Sequence, residues 1–436
     1  MIRQGQAPGL WIGRQWNNVL FDYLLSWLGS AFGLHIAERI AVSFAVLIFF
    51  WGAFALIRVA TRRAPWKLSP LLAVFAYGWT FEMGFMNYYI SLGVCFFALA
   101  AFWRGGTGAR LISLASIPVI WMAHPLGLIC LVGLAAYIVA AKAVRSRHHG
   151  YLLLAAGICL LGVRVFLARR YAVKWNPLGR YFFFNGADQL ALYGSRYYLL
   201  YALFAALVVA AVAMELRGWR REGGFWDVFG IPLQLYLAAG MASVLLPSIV
   251  ALPQYAEPLS YLVARLSSVS GILACWMLGA MKPRRWHAFG CGLIALVFFS
   301  LLYVDTGILN GMEEQVERSV AALPVGSRVV EDIDEGAGSR VAIEHIVDRA
   351  CIGRCFSYDN YEPATGQFRV RAAPGNSIVS ADPPDESGAA STEELVKALD
   401  PPVFEIFQCE GSSVKTCVRE LSAEEMKELV EGKFEE

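Results

Sequence analysis

Charged residues are scarce in this chain, and acidic residues are scarcest in its first 306 positions. Asp, Glu, Lys and Arg make up 17% of the 436 residues, while hydrophobic residues make up 57%. Soluble globular domains carry about 25% charged residues. The composition therefore excludes a wholly soluble protein and indicates a membrane protein.

Motifs of soluble enzymes are missing as well. The sequence has no Walker A motif, GxGxxG, HExxH or GxSxG, and each of these would mark a specific catalytic or cofactor site. It has no fixed-period repeat and no convincing inverted repeat, which disfavours a transporter. It also has no signal peptide, because no apolar run follows a basic amino-terminal region.

Long apolar runs are what the chain does contain. A hydrocarbon core of about 30 Å takes about 20 helical residues to cross, so shorter runs must be paired, tilted or partly inserted. The runs are 38–58, 68–84, 87–103, 111–124, 126–141, 151–168, 196–216, 229–251, 262–281 and 286–306. They predict an α-helical polytopic membrane protein with about ten transmembrane helices.

Positive charge is confined to alternate loops between these runs. Lys and Arg mark cytoplasmic loops, so we expect these loops in the cytoplasm, residues 1–37 outside, and everything after about residue 306 outside. The segment 169–195, which carries Arg169, Arg170, Lys174 and Arg180, is the exception. The fifteen basic residues of the alternating set are Arg58, Arg62, Arg63, Lys67, Arg104, Arg110, Lys142, Arg145, Arg147, Arg217, Arg220, Arg221, Lys282, Arg284 and Arg285.

Charge also divides the chain into two parts. Residues 1–306 hold 25 Lys and Arg against 9 Asp and Glu, whereas residues 307–436 hold 12 against 26. We therefore predict three regions, with an amphipathic outer interfacial segment at 1–37, a transmembrane domain at 38–306 and a small acidic α/β domain at 307–436. The protein should lie in the cytoplasmic (inner) membrane, with the C-terminal domain extracytoplasmic.

Local patterns predict elements within these regions. Residues 17–31 have the apolar face of an amphipathic helix. In the C-terminal region we expect strands at 328–333, 368–372, 403–409 and 414–420, and helices at 339–349, at 392–399 and from 423 onward.

The cysteines of the C-terminal region indicate disulfides. Four Cys in an oxidising compartment suggest two bridges with three possible connectivities, and loop length favours 351–355 with 409–417. A zinc site is the alternative, but the C-x3-C and C-x7-C spacings are unusual for zinc. The four residues are Cys351, Cys355, Cys409 and Cys417.

Polar residues near the predicted membrane gather at the outer ends of the helices. Ionisable groups at membrane depth are costly and tend to be functional, so their shared sidedness suggests a site open to the outside. Each also has a structural explanation, because Glu82 suits a solvated turn, His124 suits a helix-end hydrogen bond, and the basic residues suit lipid headgroups. The set is Glu82, Asn87, His124, Arg164, Arg169, Arg170, Asp188, Glu257, Arg265 and Asp305.

In layout the chain resembles the GT-C class of integral membrane glycosyltransferases. The resemblance rests on the amphipathic segment that leads into a helix, on the aromatic hairpin around GFMNYYISLG, on the His124-Pro125 turn and on the outer domain that begins LPVGSRVV. It covers residues 1–330 in outline. In that class the catalytic acid lies in the first outer loop after the first transmembrane helix, and this chain begins after that helix. Either the sequence starts too late or the protein is not catalytic.

The resemblance implies transfer of a sugar, with inversion, from a polyprenyl-phosphate donor on the outer membrane face. Glu82, His124 and Asp22 are then the catalytic candidates, and a divalent cation is the candidate cofactor. Membrane lipid and a polyprenyl-phosphate-linked sugar are the expected partners, and nucleic acid is not. The phosphate-binding candidates are Arg169, Arg170, Lys174 and Arg265, because guanidinium groups bind phosphate oxygens in pairs. The alternative is a non-catalytic membrane scaffold or accessory subunit with an outer binding domain.

Overall fold

The chain is mostly helical, with a small sheet region in its C-terminal part. The computed structural model describes residues 10–175, 179–219, 225–253, 255, 258–281, 284–333, 339–341, 343, 345–358, 360, 363, 368–373, 402–409, 412 and 414–430. These residues form two compact units. We call residues 16–250 with 260–301 the helical unit, and residues 1–15 with 251–259 and 302–436 the mixed unit.

Fourteen helices lie wholly or partly in the described portion of the helical unit. They are α1 (Leu20–Phe32), α2 (Leu34–Thr61), α3 (Ser69–Phe75), α4 (Trp79–Glu82), α5 (Met86–Arg104), α6 (Thr107–Ala115), α7 (Ile117–Ala123), α8 (Pro125–Ala143), α9 (His149–Arg170), α10 (Gly179–Phe182), α11 (Tyr198–Trp219), α12 (Phe225–Leu245), α13 (Leu262–Ala280) and α14 (Arg285–Ala322). The amphipathic helix predicted at 17–31 is confirmed as α1.

Seven helices among the described residues are long and apolar enough to cross a membrane, and two apolar helical segments are shorter. The run at 68–84 is not a continuous helix. It forms the short helices α3 and α4, joined through Tyr77 and Gly78. Hydropathy alone could not distinguish two short helices from one continuous helix, because both are equally apolar.

Helix α13 lies at the centre of the helical unit and is buried along most of its length. Helices α2 and α5 pack closely at Gly52 and Gly93, where a Cβ on either residue would collide with the backbone of the opposite helix. Small residues allow this close approach in membrane bundles. Helix α9 is peripheral, since His149 is its one buried residue.

The C-terminal ends of α2, α5, α8 and α13 lie together. The Lys142 ammonium is 4.1 Å from the centre of the Trp103 ring, and that ring packs edge-on against Trp276 at 5.1 Å. Gly279 of α13 lies against α2, because a Cβ at this position would come within 2.9 Å of the Ile57 side chain. We call this the basic end, because the loops that leave it carry predicted cytoplasmic residues, and we call the other the polar end.

In the mixed unit, helix α14 packs on a four-stranded sheet. The sheet has the order β5 (Phe356–Ser357), β4 (Arg328–Asp332), β7 (Val403–Gln408) and β8 (Thr416–Glu420), with β4 parallel to both neighbours and β7 antiparallel to β8. Val329 faces a core that contains Val316 and Val320 of α14, whereas Val330 faces the opposite side. This alternation buries both faces of β4. The predicted boundary at 306/307 falls inside α14.

The remaining elements of the mixed unit correct part of the sequence reading. Strand β1 (Leu10–Ile12) pairs with β6 (Val370–Ala372), although residues 10–12 were assigned to the interfacial segment. The helix predicted at 339–349 begins later, as α15 (Ile346–Cys351). The strands predicted near 328, 368, 403 and 414 and the last helix, α16 (Ala423–Val430), are confirmed. The helix predicted at 392–399 lies outside the described residues.

Both cysteine pairs expected from loop length lie at disulfide distance. The Cα atoms of Cys351 and Cys355 are 4.6 Å apart, and those of Cys409 and Cys417 are 5.2 Å apart. The first pair belongs to the core shared by α14, α15 and the sheet. The second joins the ends of β7 and β8. In a small domain such bridges supplement a limited apolar core.

Replacing Cys409 and Cys417 together with Ser should lower the free energy of unfolding of the C-terminal domain by about 2–3 kcal/mol, because the unfolded chain regains the entropy of an eight-residue loop. Maleimide labelling of the folded, non-reduced wild-type protein, mapped by mass spectrometry, should find neither pair reactive. Labelling after reduction with dithiothreitol is the positive control, in which Cys351, Cys355, Cys409 and Cys417 should all react. Ready labelling of all four cysteines before reduction would show that the assignment is wrong.

Candidate functional site

The polar end collects side chains from α1, α4, α5, α8 and α13. The backbone amide of Val19 donates to the carbonyl of Met122 at 3.0 Å, and the amide of Phe21 donates to the side-chain oxygen of Asn87 at 2.7 Å. These bonds hold the start of α1 against the start of α5 and the end of α7. Asp22 therefore lies half-buried in the first turn of α1, where a carboxylate stabilises the helix dipole.

Glu82 ends the short helix α4 and is half-buried. Its carboxylate accepts a hydrogen bond of 2.7 Å from the hydroxyl of Tyr193. Gly84, with a φ of 73°, then makes the turn into α5, a backbone conformation that glycine adopts without strain. The alternative that Glu82 is only a solvated turn residue is therefore incomplete, because its carboxylate is hydrogen-bonded to Tyr193.

Arg265 lies in the first turn of α13, and its guanidinium stacks on the ring of Phe85 at 3.9 Å. Phe85 also packs against Trp79 and Tyr261, at 6.0 and 6.1 Å between ring centres. A guanidinium over an aromatic face gains a cation–π attraction that grows where water is excluded. Arg265 thus lies on the ring of Phe85, which follows Glu82 by three residues in the chain.

His124 serves as the N-cap of α8. Its Nδ1 accepts a hydrogen bond of 3.1 Å from the amide of Leu126, so the neutral ring carries its proton on Nε2. The ring packs edge-on against Tyr88 at 5.3 Å, and the Tyr88 hydroxyl donates to the carbonyl of Arg265 at 2.9 Å. The helix-end role considered for His124 is confirmed.

We define the polar cluster as Glu82, Phe85, Tyr88, His124, Tyr193 and Arg265. Three of the predicted site residues, Glu82, His124 and Arg265, belong to it, and Asp22 lies on a helix anchored beside it through Asn87.

The other predicted phosphate ligands lie at the end of α9. Arg169 and Arg170 are exposed in its last turn, and Lys174 is exposed on β2 (Val173–Lys174). Strand β2 pairs with β3 (Ile249–Val250). The Lys174 carbonyl accepts from the amide of Ser248, whose own carbonyl accepts from the amide of Leu262. Two backbone hydrogen bonds thus connect Lys174 to the start of α13, while no described contact brings Arg169 or Arg170 to the polar cluster.

A buried polar network next to the cluster was not predicted as a unit. Gln189 accepts hydrogen bonds from the amide and hydroxyl of Thr80, at 3.0 and 2.7 Å, and donates to the carbonyl of Ala264 at 3.0 Å and to Ser267 at 2.7 Å. Asp188 accepts from Ser267 at 2.6 Å and from Gln189 at 3.1 Å. Both residues are at most 1% exposed. The sequence signal was the polar pair inside the apolar stretch ADQLALYG.

The segment that carries this pair enters the bundle through a glycine contact. Gly186 has a φ of 82°, and its Cα lies so close to the backbone of Gly271 that a Cβ would collide with it. Residues 185–192 are consequently buried, although the sequence reading placed them in an outer loop. Polar groups buried in this way need hydrogen-bond partners within the protein. Gln189 is such a partner for Thr80, Ser267 and Asp188.

Within the described portion of the chain, no group of three or more His, Cys, Asp or Glu is arranged to hold a metal ion. The divalent cation implied by the resemblance stays a prediction.

In comparisons with known proteins, no family model, no curated protein and no solved structure matches this chain. A function for this chain must therefore be proposed from the geometry of the polar end and from the sequence pattern.

Replacing Gln189 with Leu should lower the free energy of unfolding by about 3 kcal/mol, because Thr80, Ser267 and Asp188 would each lose a buried partner. Thermal unfolding of the purified protein in detergent measures this. Thr306→Val is the matched control, since that hydroxyl bonds only within its own helix at Leu302 and Tyr303. Equal, small shifts in both variants would contradict a supporting role for the network.

Proposed function

We propose that the helical unit crosses the cytoplasmic membrane about ten times, with the basic end in the cytoplasm and residues 307–436 outside. The support is the grouping of Lys142, Trp103 and the ends of α2 and α13 at one end of the bundle. Basic loops at one end are the pattern of cytoplasmic loops. The polar cluster then faces the outer leaflet.

We further propose that the protein is a membrane glycosyltransferase similar to the GT-C class, which takes a sugar from a polyprenyl-phosphate donor. The observation that carries this proposal is the role of Gln189. It joins α4 to α13 at Thr80 and Ala264, two residues from Glu82 and one from Arg265. A carboxylate and a guanidinium are thereby held on adjoining elements, as general-base chemistry beside a phosphate requires.

In the proposed reaction, Glu82 takes the proton of the acceptor hydroxyl as its oxygen bonds to the anomeric carbon of the sugar. The bond from that carbon to the donor phosphate breaks, and the electron pair leaves with the polyprenyl phosphate. Arg265 stabilises the negative charge that develops on the leaving group. Tyr193 orients the carboxylate through its hydrogen bond, and Asp22 is the second candidate base.

A non-catalytic accessory subunit is the alternative. One observation favours it, namely that Nδ1 of His124 is engaged as a helix cap, which leaves this residue with a structural role. Such a subunit would bind a partner through its outer domain without transferring a sugar.

Alkaline phosphatase fused after residue 146 should be inactive and the same enzyme fused after residue 330 should be active, because it folds only outside the cytoplasm. Green fluorescent protein at the same positions is the control and should give the opposite pattern. Activity at 146 with none at 330 would reverse the proposed orientation.

Glu82→Gln should lower sugar transfer by about 10²- to 10⁴-fold, because it removes the general base. Release of polyprenyl phosphate from a panel of polyprenyl-phosphate-linked hexoses and pentoses, followed by mass spectrometry, measures transfer. Glu215→Gln is the matched control, since Glu215 is a half-buried carboxylate in the second half of α11 and should keep full activity.

Two results would overturn the catalytic assignment. Unchanged transfer by Glu82→Gln would remove Glu82 from the mechanism. Absence of transfer by the wild-type protein from any donor in the panel would favour the accessory-subunit alternative.

A further inference from the structure

A cavity of about 920 Å³ lies at the basic end, away from the polar cluster, between the last turns of α2 and α5. Residues of α2 from Trp51 onward and its C-cap Arg62 form one wall, and residues of α5 from Phe97 to Arg104 form the other. None of the predicted site residues lines it. Its volume is in the range of sites that hold a small molecule or a lipid headgroup.

Three arginines line this cavity, namely Arg58, Arg62 and Arg104. All three are exposed. Within the described ranges, none of them forms an ion pair with a carboxylate. Three guanidinium groups around one cavity repel one another, and an anion between them would convert that repulsion into attraction.

Aromatic rings form the apolar part of the cavity. Trp51, Phe54 and Trp103 line it, and Trp66 packs on Phe54 at 4.7 Å between ring centres. Trp51 is 43% exposed and Trp66 is 62% exposed. Indole rings suit the membrane interface, where one side meets acyl chains and the other meets headgroups.

Simple anchoring does not account for this combination. An isolated arginine at a helix end can reach headgroups and offset the helix dipole from any position on the bundle surface. Here the three guanidinium groups come from two helices and line the same cavity, which is also walled by aromatic rings. Such a combination of cations and apolar surface matches an amphiphile that carries a phosphate.

We propose that this cavity binds the phosphodiester headgroup of an anionic phospholipid in the cytoplasmic leaflet. The arginines contact the phosphate oxygens, and the acyl chains lie along Trp51 and Phe97. Basic pockets between membrane helices on the cytoplasmic side bind lipids of this kind. The inference rests on the membrane orientation proposed above, and it does not depend on sugar transfer at the polar end.

Native mass spectrometry of the full-length protein with phosphatidylglycerol tests this proposal. The triple variant Arg58→Gln, Arg62→Gln, Arg104→Gln should bind phosphatidylglycerol on the order of 10- to 100-fold more weakly than the wild type. The matched control is Arg63→Gln, Arg110→Gln, Arg145→Gln, which removes the same charge from the basic end without touching the cavity, and it should bind as the wild type does.

Lipid specificity and the site itself are tested separately on the wild-type protein. Phosphatidylcholine and inorganic phosphate should compete poorly, and phosphatidylglycerol with a diazirine on its acyl chain should crosslink to peptides that contain 51–66 or 97–104. Equal weakening in both triple variants, equal binding of phosphatidylcholine, competition by inorganic phosphate at the same concentration as lipid, or crosslinks elsewhere would each overturn the proposal.

Discussion

The hydrogen bonds of Gln189 are the interaction on which the polar end depends. In an interior with little water, a buried amide must find all its partners within the protein. Gln189 finds them on α4 at Thr80 and on α13 at Ala264 and Ser267. One side chain thus fixes the relative position of the two helices that carry Glu82 and Arg265. Tyr193, four residues further along the same segment, then binds Glu82 directly, so the segment also sets the direction of the carboxylate.

Much of this architecture follows from local sequence patterns. Long apolar runs identified α2, α5, α9, α11 and α13 because helix formation in such segments depends on their own composition. The break between α3 and α4 within the run at 68–84 could not be predicted, because it is stabilised by Gln189, which is more than a hundred residues away. The pairing of β1 with β6 was missed for the same reason, since three residues cannot indicate a strand without their partner. The disulfide pairing was predictable because both bridges close short loops.

The site residues also divide into those that could be predicted from local sequence and those that depend on distant partners. His124 precedes a proline at a helix start, so its capping role could be read locally. Glu82 and Arg265 could be grouped from the sequence alone. The alternation of basic and uncharged loops places both residues at the ends of their helices that are predicted to lie outside. The partners Tyr193 and Thr80 could not be found, because a tyrosine or threonine in an apolar helical protein is too common to stand out. The pair Asp188-Gln189 was visible as polar residues in an apolar stretch, but composition suggested an outer loop, and only the contact of Gly186 with Gly271 explains its burial.

The two ends of the helical unit place arginine in different surroundings, and this difference determines what each end can do. Arg265 is half-buried on Phe85 and is positioned by α13, so an anion that meets it gives up water and must fit a defined geometry. Arg58, Arg62 and Arg104 are exposed around a roomy cavity, where attraction falls with salt and tolerates variation in the anion's shape. Under the functions proposed above, the polar end would select one phosphate-bearing substrate and the basic end would retain an abundant lipid. The retained lipid would keep the depth and orientation of the bundle in the bilayer constant while the polar cluster acts at one face of the membrane.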